Sequence, residues 1–347
     1  FNGSIYEQQD SLEELKELCI SCDVAVADVV LQRPKKISPK YLLGAGKIKE
    51  LTINALQKGA NLLIFDQDLT PAQSQAIGEI VELKVIDRSQ LILDIFANRA
   101  HSRDGKVQVE LAQLRYRLPR LMGKGTAMSR LMGGIGGRGP GEMKLEVDRR
   151  RVRDRIALLE KELKTLSCAR KQRKYRRTSS GLPIISIIGY TNAGKSTLLN
   201  NLTSSHTFVE SKMFATLDTA SRRLRFPKER DVIITDTVGF IRNLPKDLFA
   251  AFRATLEELE DANLLLHLVD VSNPRFEQHI KSVEKILSEL GLLDKKRLIV
   301  FNKSDLIDSH QLESICKRYN ALSISAIKKE TFPELLSKIE EILWQYK

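Results

Sequence analysis

Cysteine is scarce in this chain. Its four residues, Cys19, Cys22, Cys168 and Cys316, are too scattered over 347 positions to frame a disulfide-stapled fold. Cys19 and Cys22 form one C-x-x-C pair; with no second pair and no nearby histidine, they read as two half-buried thiols at a helix end rather than a zinc or redox site. Long apolar runs are missing as well: nothing approaches the roughly 18 consecutive apolar residues a membrane span requires, and no secretory core opens the chain. A cytoplasmic protein with no membrane span, working as a monomer, is expected. The five histidines, His101, His206, His267, His279 and His310, form no cluster, so none is assigned to a metal or to catalysis. The chain opens at Phe1 rather than Met, and a trimmed N-terminus lacking a first strand is expected.

What is present is ordinary in bulk and uneven in distribution. A hydrophobic share of 42% with 29% charged residues suits a globular protein of two or three domains. Residues 1–100 carry 11 Lys and Arg against 14 Asp and Glu, and residues 181–347 carry 23 against 22. Residues 101–180 carry 22 against 8, so this segment alone holds more than the whole chain's net +12. Like charges without matching acids repel one another on a helix surface, whereas a polyanion neutralises them together. The segment is therefore read as an electrostatic footprint for nucleic acid.

Three domains are expected, at 1–100, 101–180 and 181–347. In the first, "GKIKELTINALQKGA", "TPAQSQAIGEIVE" and "RSQLILDIFANRA" read as helices, "NLLIFD" and "LKVID" as strands and "CDVAVADVVLQR" as extended chain, which implies a small α/β domain with a largely parallel sheet. Gly44 and Gly46 precede a helix, but a short G-x-G reads better as a strand-to-helix turn than as a phosphate loop. In the second, Val107, Leu111, Leu114, Leu118 and Leu121 recur at spacings of four and three, the seam of a coiled coil. A second seam runs through Leu145, Val152, Ile156, Leu159, Leu163 and Leu166, and together they predict an antiparallel helical hairpin. Its tip, residues 123–141, holds eight of the 19 glycines and little apolar content to offset the entropy of ordering them. "ARKQRKYRRTSSG" closes the second helix as a basic linker.

The chemistry lies in the third domain. An apolar strand, "PIISIIG", leads into Gly189-x4-Gly194-Lys195-Ser196, the phosphate-loop pattern in its required strand–loop–helix setting. Gly189, Tyr190, Thr191, Asn192, Ala193, Gly194, Lys195, Ser196 and Thr197 are expected to wrap the phosphates, with Lys195 neutralising the β and γ groups and Ser196 holding Mg²⁺. A second strand ends in Asp236, Thr237, Val238 and Gly239, where Asp236 would hold the Mg²⁺ shell through water and the Gly239 amide would sense the γ-phosphate. Between them, Phe214, Ala215 and Thr216 form a loop in which Thr216 is the candidate for a second hydroxyl on Mg²⁺ and Thr219 its rival. Lys195, Thr216 and Gly239 are the expected catalytic set.

Further on, a strand leads to Asn302-Lys303-x-Asp305, and another leads to Ser325-Ala326. A carboxylate at Asp305 can accept the N1–H and 2-amino group of guanine, with an amide after Ser325 meeting O6. Adenine would leave that carboxylate desolvated, so GTP and GDP are expected over ATP. Phe240 follows Gly239, where small signalling GTPases carry a glutamine that orients the attacking water. Phenylalanine cannot do this, so intrinsic hydrolysis should be slow and dependent on a partner.

With these residues in view, the chain resembles the HflX family of translation-associated GTPases. The resemblance rests on "GGIGGRGPGEMKLEVDRR" (133–150), "GKVQVELAQLRYRLPRL" (105–121), "VIDRSQLILDIFANRA" (85–100), "GYTNAGKST" (189–197), "FATLD" (214–218) and "DTVGFIRNLP" (236–245). It implies an N-terminal α/β domain, a helical hairpin and a TRAFAC-type P-loop GTPase domain with a mainly parallel sheet. It also implies binding to the large ribosomal subunit and its rRNA, with splitting or rescue of ribosomes. One departure is "LDTAS", where family members commonly carry Pro-Thr after FATLD; this favours Thr216 over Thr219. An assembly or RNA-maturation GTPase, or an RNA-binding scaffold merely stabilised by nucleotide, stands as the alternative.

Overall fold

The computed structural model describes residues 5–32, 38–81, 83–121, 140–179, 181–203, 213–214, 220–226, 230–245, 248–249 and 256–344. Two compact units emerge, one from residues 1–98 and 106–164, the other from 99–105 and 165–347. The class is mixed α/β, as expected.

In the first unit, α1 (Ile5–Ser21), α2 (Ala45–Gln57), α3 (Pro71–Gly78) and α4 (Arg88–Arg99) accompany two parallel strands, β1 (Leu62–Phe65) and β2 (Lys84–Asp87). The start of α3 is written locally: Thr70 and Gln73 form a reciprocal capping box and Pro71 takes the first helical position. Ile48, Leu69, Ile77 and Val81 bury together beneath these elements. Cys19 is buried within α1 and Cys22 half-buried just beyond it, with neither in a disulfide, which agrees with the thiol reading. "CDVAVADVVLQR" is irregular over 24–32 and joins no described strand.

Helix α5 (Arg103–Arg117) is buried more widely than a two-helix seam requires. Val107 and Leu111 of the expected seam are buried, but so are Val109, Ala112 and Tyr116, which lie off it. Tyr116 is buried in contact with the α/β elements: its Oη donates to Asp87 Oδ1 at 2.6 Å, and nearby Arg120 donates to the Leu69 carbonyl at 2.6 Å. A Leu118–Leu121 turn of 3-10 helix ends this stretch. The returning helix, α6 (Pro140–Ser179), starts at a proline, so Pro140 and Gly141 are helical rather than part of the tip. It also continues through the stretch expected as a linker, and Gly181 at φ +68° follows it. On α6 Leu159 is fully buried while Val152, Ile156, Leu163 and Leu166 are half-buried. Ion pairs Arg115–Glu160 and Arg155–Glu110, both at 2.7 Å, tie α5 to α6. The glycine-rich tip over 123–139 and the side chains of Lys171–Arg177 lie outside the described residues.

The second unit is a six-stranded sheet in the order β4-β5-β3-β6-β7-β8, built from β3 (Ile184–Gly189), β4 (Ala220–Arg225), β5 (Asp231–Asp236), β6 (Leu264–Asp270), β7 (Arg297–Asn302) and β8 (Leu322–Ser323). All neighbours are parallel except β4 and β5. Every residue of β3 is buried, the pattern of a strand covered on both faces. One face packs on α7 (Lys195–Thr203) and α10 (Phe332–Leu343) through Leu198, Leu199, Leu335 and Ile339. The other packs on α8 (Phe276–Glu289) and α9 (Ser309–Tyr319). Because β3 continues to β5 on one side and pairs with β6 on the other, the strand order reverses at its C-terminal end, where open α/β sheets place their ligand crevice.

Candidate functional site

Apart from Phe214, the expected site residues that are described come in four groups, after β3, β5, β7 and β8, and these groups meet at that crevice. The loop after β3 must close tightly. Gly189 sits at φ +153°, and a Cβ there would collide with the Leu268 backbone carbonyl; Gly194 sits at φ +91°, and a Cβ there would meet the Asn302 amide. Only glycine meets both demands. Asn192 holds a left-handed conformation at φ +62°, which asparagine tolerates better than most residues.

Lys195 opens α7 and turns back across the loop. Its Nζ is buried and donates to the Tyr190 carbonyl at 2.8 Å. Burial brings its pKa down to about 8, against the opposing pull of Asp236. Such an ammonium, with one of three donors spent on a carbonyl, is suited to an anion. The first-turn amides of α7 have no helical acceptor and point the same way. Thr191 Oγ1 is also buried, with no hydrogen-bond partner among the described residues. Phosphate fits this cradle.

Ser196 Oγ donates to Asp236 Oδ2 at 2.6 Å, and Asp236 is fully buried. A hydroxyl and a carboxylate in contact supply hard oxygen donors suited to Mg²⁺. Ala215, Thr216 and Thr219 lie outside the described residues; Phe214 is described, buried, at φ +56°. Thr237 donates its hydroxyl to the Ile187 carbonyl at 2.7 Å and so anchors the loop to β3. At Gly239 a Cβ would lie 3.0 Å from Lys195 Nζ and 2.9 Å from Thr191 Cγ2, so the chain passes directly over the phosphate loop.

Phe240 takes no part in that crevice with its side chain. The ring is buried with Ile188, Leu256, Leu259 and Leu265 beneath the sheet. Its backbone extends the ladder: Phe240 N donates to the Gly189 carbonyl at 3.0 Å, and Thr191 N to the Phe240 carbonyl at 2.8 Å. A glutamine side chain here would have to leave the core to reach the crevice.

At the ends of β7 and β8, the Asn302 side chain is committed to protein at both ends. Its Nδ2 donates to the Ala193 carbonyl and its Oδ1 accepts from Ala326 N, each at 2.8 Å. It stitches the phosphate loop to the loop after β8, and the Ala326 amide expected near O6 is already engaged. Lys303, left-handed at φ +61°, pairs with Asp270 at 2.6 Å. Asp305 is exposed, and the Ser325 hydroxyl beside it holds its carboxyl below the usual range. Ser325 and Ala326 are buried and pinned further by Thr331, whose Oγ1 accepts from Ser325 N at 3.1 Å, and by Asn201, whose Nδ2 donates to the Ala326 carbonyl at 2.7 Å.

Asp270, Asn201 and Thr331 were not singled out from sequence. None belongs to a spaced motif; each matters through a contact between elements distant in the chain. Two histidines also acquire settings invisible in sequence. His267 is buried in β6, and burial pushes its pKa down to about 3, so it stays neutral. His279 stacks flat on Tyr190, with ring centroids 3.9 Å apart and planes 4° from parallel. Among the described residues no cluster of His, Cys, Asp and Glu has metal-site geometry, and no helix is long and apolar enough to cross a membrane.

Comparison with known proteins agrees with this geometry. Three family profiles match in succession: "GTP-binding GTPase N-terminal" over residues 9–97, "GTP-binding GTPase Middle Region" over 99–177 and "50S ribosome-binding GTPase" over 184–303. The chain is 48% identical over 340 residues to the GTPase HflX of Caldanaerobacter subterraneus subsp. tengcongensis, covering 98% of this chain and 78% of that one. It is 42% identical to the GTPase HflX of Escherichia coli, covering 88% and 73%. Among solved structures, a GTP-binding protein from the archaeon Sulfolobus solfataricus in complex with GDP matches with a TM-score of 0.50 and 26% identity, covering 97% of both chains.

Proposed function

Since the chain belongs to the HflX family of GTPases and binds and hydrolyses GTP, we propose that its hydrolysis cycle drives a switch acting on the large ribosomal subunit through rRNA, in splitting or rescuing ribosomes. The observation that carries the RNA reading is the charge of residues 101–180, 22 basic against 8 acidic. On α6, Arg150 and Arg153 are exposed and make no ion pair among the described residues, so they are available to phosphates. Arg155 is a poorer candidate because its Nε and Nη2 both donate to the Glu110 carboxylate, at 2.7 and 2.9 Å.

In the nucleotide site, Lys195 and the first-turn amides of α7 bind the β and γ phosphates, while Asp305 and the Ser325–Ala326 loop select guanine. Asn302 acts by holding those two loops together. Ser196, Asp236 and Thr216 would hold Mg²⁺, which when bound supplies charge neutralisation to the phosphates. The Gly239 amide reads the γ-phosphate. With Phe240 buried in the core, the attacking water is oriented by groups the ribosome supplies or reorders, so intrinsic turnover is slow.

Co-sedimentation with separated ribosomal subunits, in GDP and in a non-hydrolysable GTP analogue, tests this directly. Binding to the large subunit should be stronger with the analogue and fall steeply as salt rises. Equal binding in both nucleotide states would remove the switch, and absence of binding in either would remove the ribosome.

A further inference from the structure

Several hydrogen bonds among the described residues tie the loop from Thr237 to Arg242 to β3 and the phosphate loop. Two are backbone bonds that extend the ladder, Phe240 N on the Gly189 carbonyl and Thr191 N on the Phe240 carbonyl, and a third is the Thr237 hydroxyl on the Ile187 carbonyl. Another is made by an aromatic side chain. Arg242 N donates to the Tyr190 phenol oxygen at 2.9 Å. Gly239 lies inside this set of ties, and the Tyr190 phenol is the outermost of them.

Tyr190 is placed to act as a rigid post. Its ring is 5% exposed and lies flat against His279 at 3.9 Å. His279 in turn sits in the first turn of α8, whose Ile280, Val283 and Leu287 are buried in the core of the unit. The phenol is therefore held in place by packing within the protein itself. The same residue's backbone carbonyl accepts from Lys195 Nζ at 2.8 Å, so one residue touches both the phosphate-binding ammonium and the switch segment. A plain turn would need only the backbone ladder; an aromatic ring stacked on a helix and reaching across to Arg242 has no part in closing the phosphate loop.

We propose that Tyr190, backed by His279, is a positioning residue that holds the 237–242 segment so that the Gly239 amide is set for the γ-phosphate before GTP arrives. The inference rests on the switch reading of Asp236–Gly239. Fixing the segment in advance lowers the ordering cost of a contact that GTP makes and GDP does not. Losing the clip therefore reduces the preference for a GTP analogue over GDP rather than nucleotide binding in general.

The test is the ratio of affinities for a non-hydrolysable GTP analogue and for GDP, measured on the full chain by fluorescent-nucleotide titration. Tyr190→Phe keeps the ring and its stack and deletes one hydrogen bond, which should lower the ratio roughly two- to tenfold. His279→Ala should lower it in the same direction, and His279→Phe, which can stack, should restore it. An equal loss for both nucleotides, or an unchanged ratio in Tyr190→Phe, overturns the proposal. Gly239→Ala separates the two readings. If it abolishes the preference and Tyr190→Phe leaves it intact, the clip alone fails; if Gly239→Ala also leaves it intact, the switch reading fails with it.

Discussion

Replacing Asn302 by alanine should damage two loops at once, because one buried amide serves both. In the wild type its Nδ2 bonds the Ala193 carbonyl and its Oδ1 bonds Ala326 N, at 2.8 Å each, with Ala193 1% and Ala326 4% exposed. Alanine leaves one acceptor and one donor in that setting without a partner, at about 1–3 kcal/mol apiece. Allowing for water entering the space vacated, the combined loss is about 2–4 kcal/mol. If the loops hold their places, the loss appears as lower thermal stability of this unit. If they open to hydrate themselves, binding must close them again, and affinity for both GDP and GTP falls by up to about 30- to 1,000-fold. Fluorescent-nucleotide titration and thermal melting on the same variant capture both routes. Asn302→Asp should do no better than alanine, since a carboxylate can accept from Ala326 N but faces the Ala193 carbonyl without a proton to give. The reasoning fails if Asn302→Ala binds both nucleotides within twofold of wild type and melts at the wild-type temperature.

Three further outcomes follow from single residues. Lys195 has a folded pKa depressed to about 8, so its charged form is penalised below that pH and the penalty fades as pH rises through it; phosphate restores the charge, and GDP binding should take up more protons at pH ~9 than at pH ~7.5, where the amine is already largely charged and the terminal phosphate already largely ionised. Calorimetry in buffers of different ionisation enthalpy measures this, and equal uptake at both pH values would contradict it. Gly189→Ala must relieve both a positive φ and an overlap with the Leu268 carbonyl, so it should destabilise the unit by about 2 kcal/mol or more, visible as a lowered melting temperature and lost nucleotide binding. In the first unit, Tyr116→Phe removes a donor from the fully buried Asp87, and hydrogen exchange over β2 and α5 should speed up to match a loss of about 1–3 kcal/mol; unchanged exchange would show that Leu69 N, Gln90 N and Arg120 satisfy Asp87 without it.

The phosphate loop was legible because its chemistry is local. Gly189, Gly194, Lys195 and Ser196 stand within eight consecutive residues, and the close approaches that demand glycine follow from that same short turn. The pairing of Ser196 with Asp236 was legible at one remove, since both ends belong to strand-terminal motifs. The hairpin was read less well. A heptad seam identifies which residues of α5 face one neighbour, but Val109, Ala112 and Tyr116 are buried off that seam, Tyr116 against Asp87 of β2. The end of the basic stretch was misjudged as well, because a run of arginines and lysines is compatible with either helix or linker until the backbone is seen.

Sequence alone thus carried the class of chemistry: the spaced glycines, Lys195, Ser196 and the Asn302-Lys303-x-Asp305 run are local motifs, each legible within a few residues, and the GTPase family they point to is the one the chain belongs to. Tertiary structure decided what supports that site. Asn302 bridging two loops, Asp270 holding Lys303, Phe240 turned into the core, and Tyr190 resting on His279 all join segments far apart in the chain. No spacing rule reaches such pairs, because their meeting depends on the order in which parallel strands are laid into the sheet, and only the folded chain sets that order.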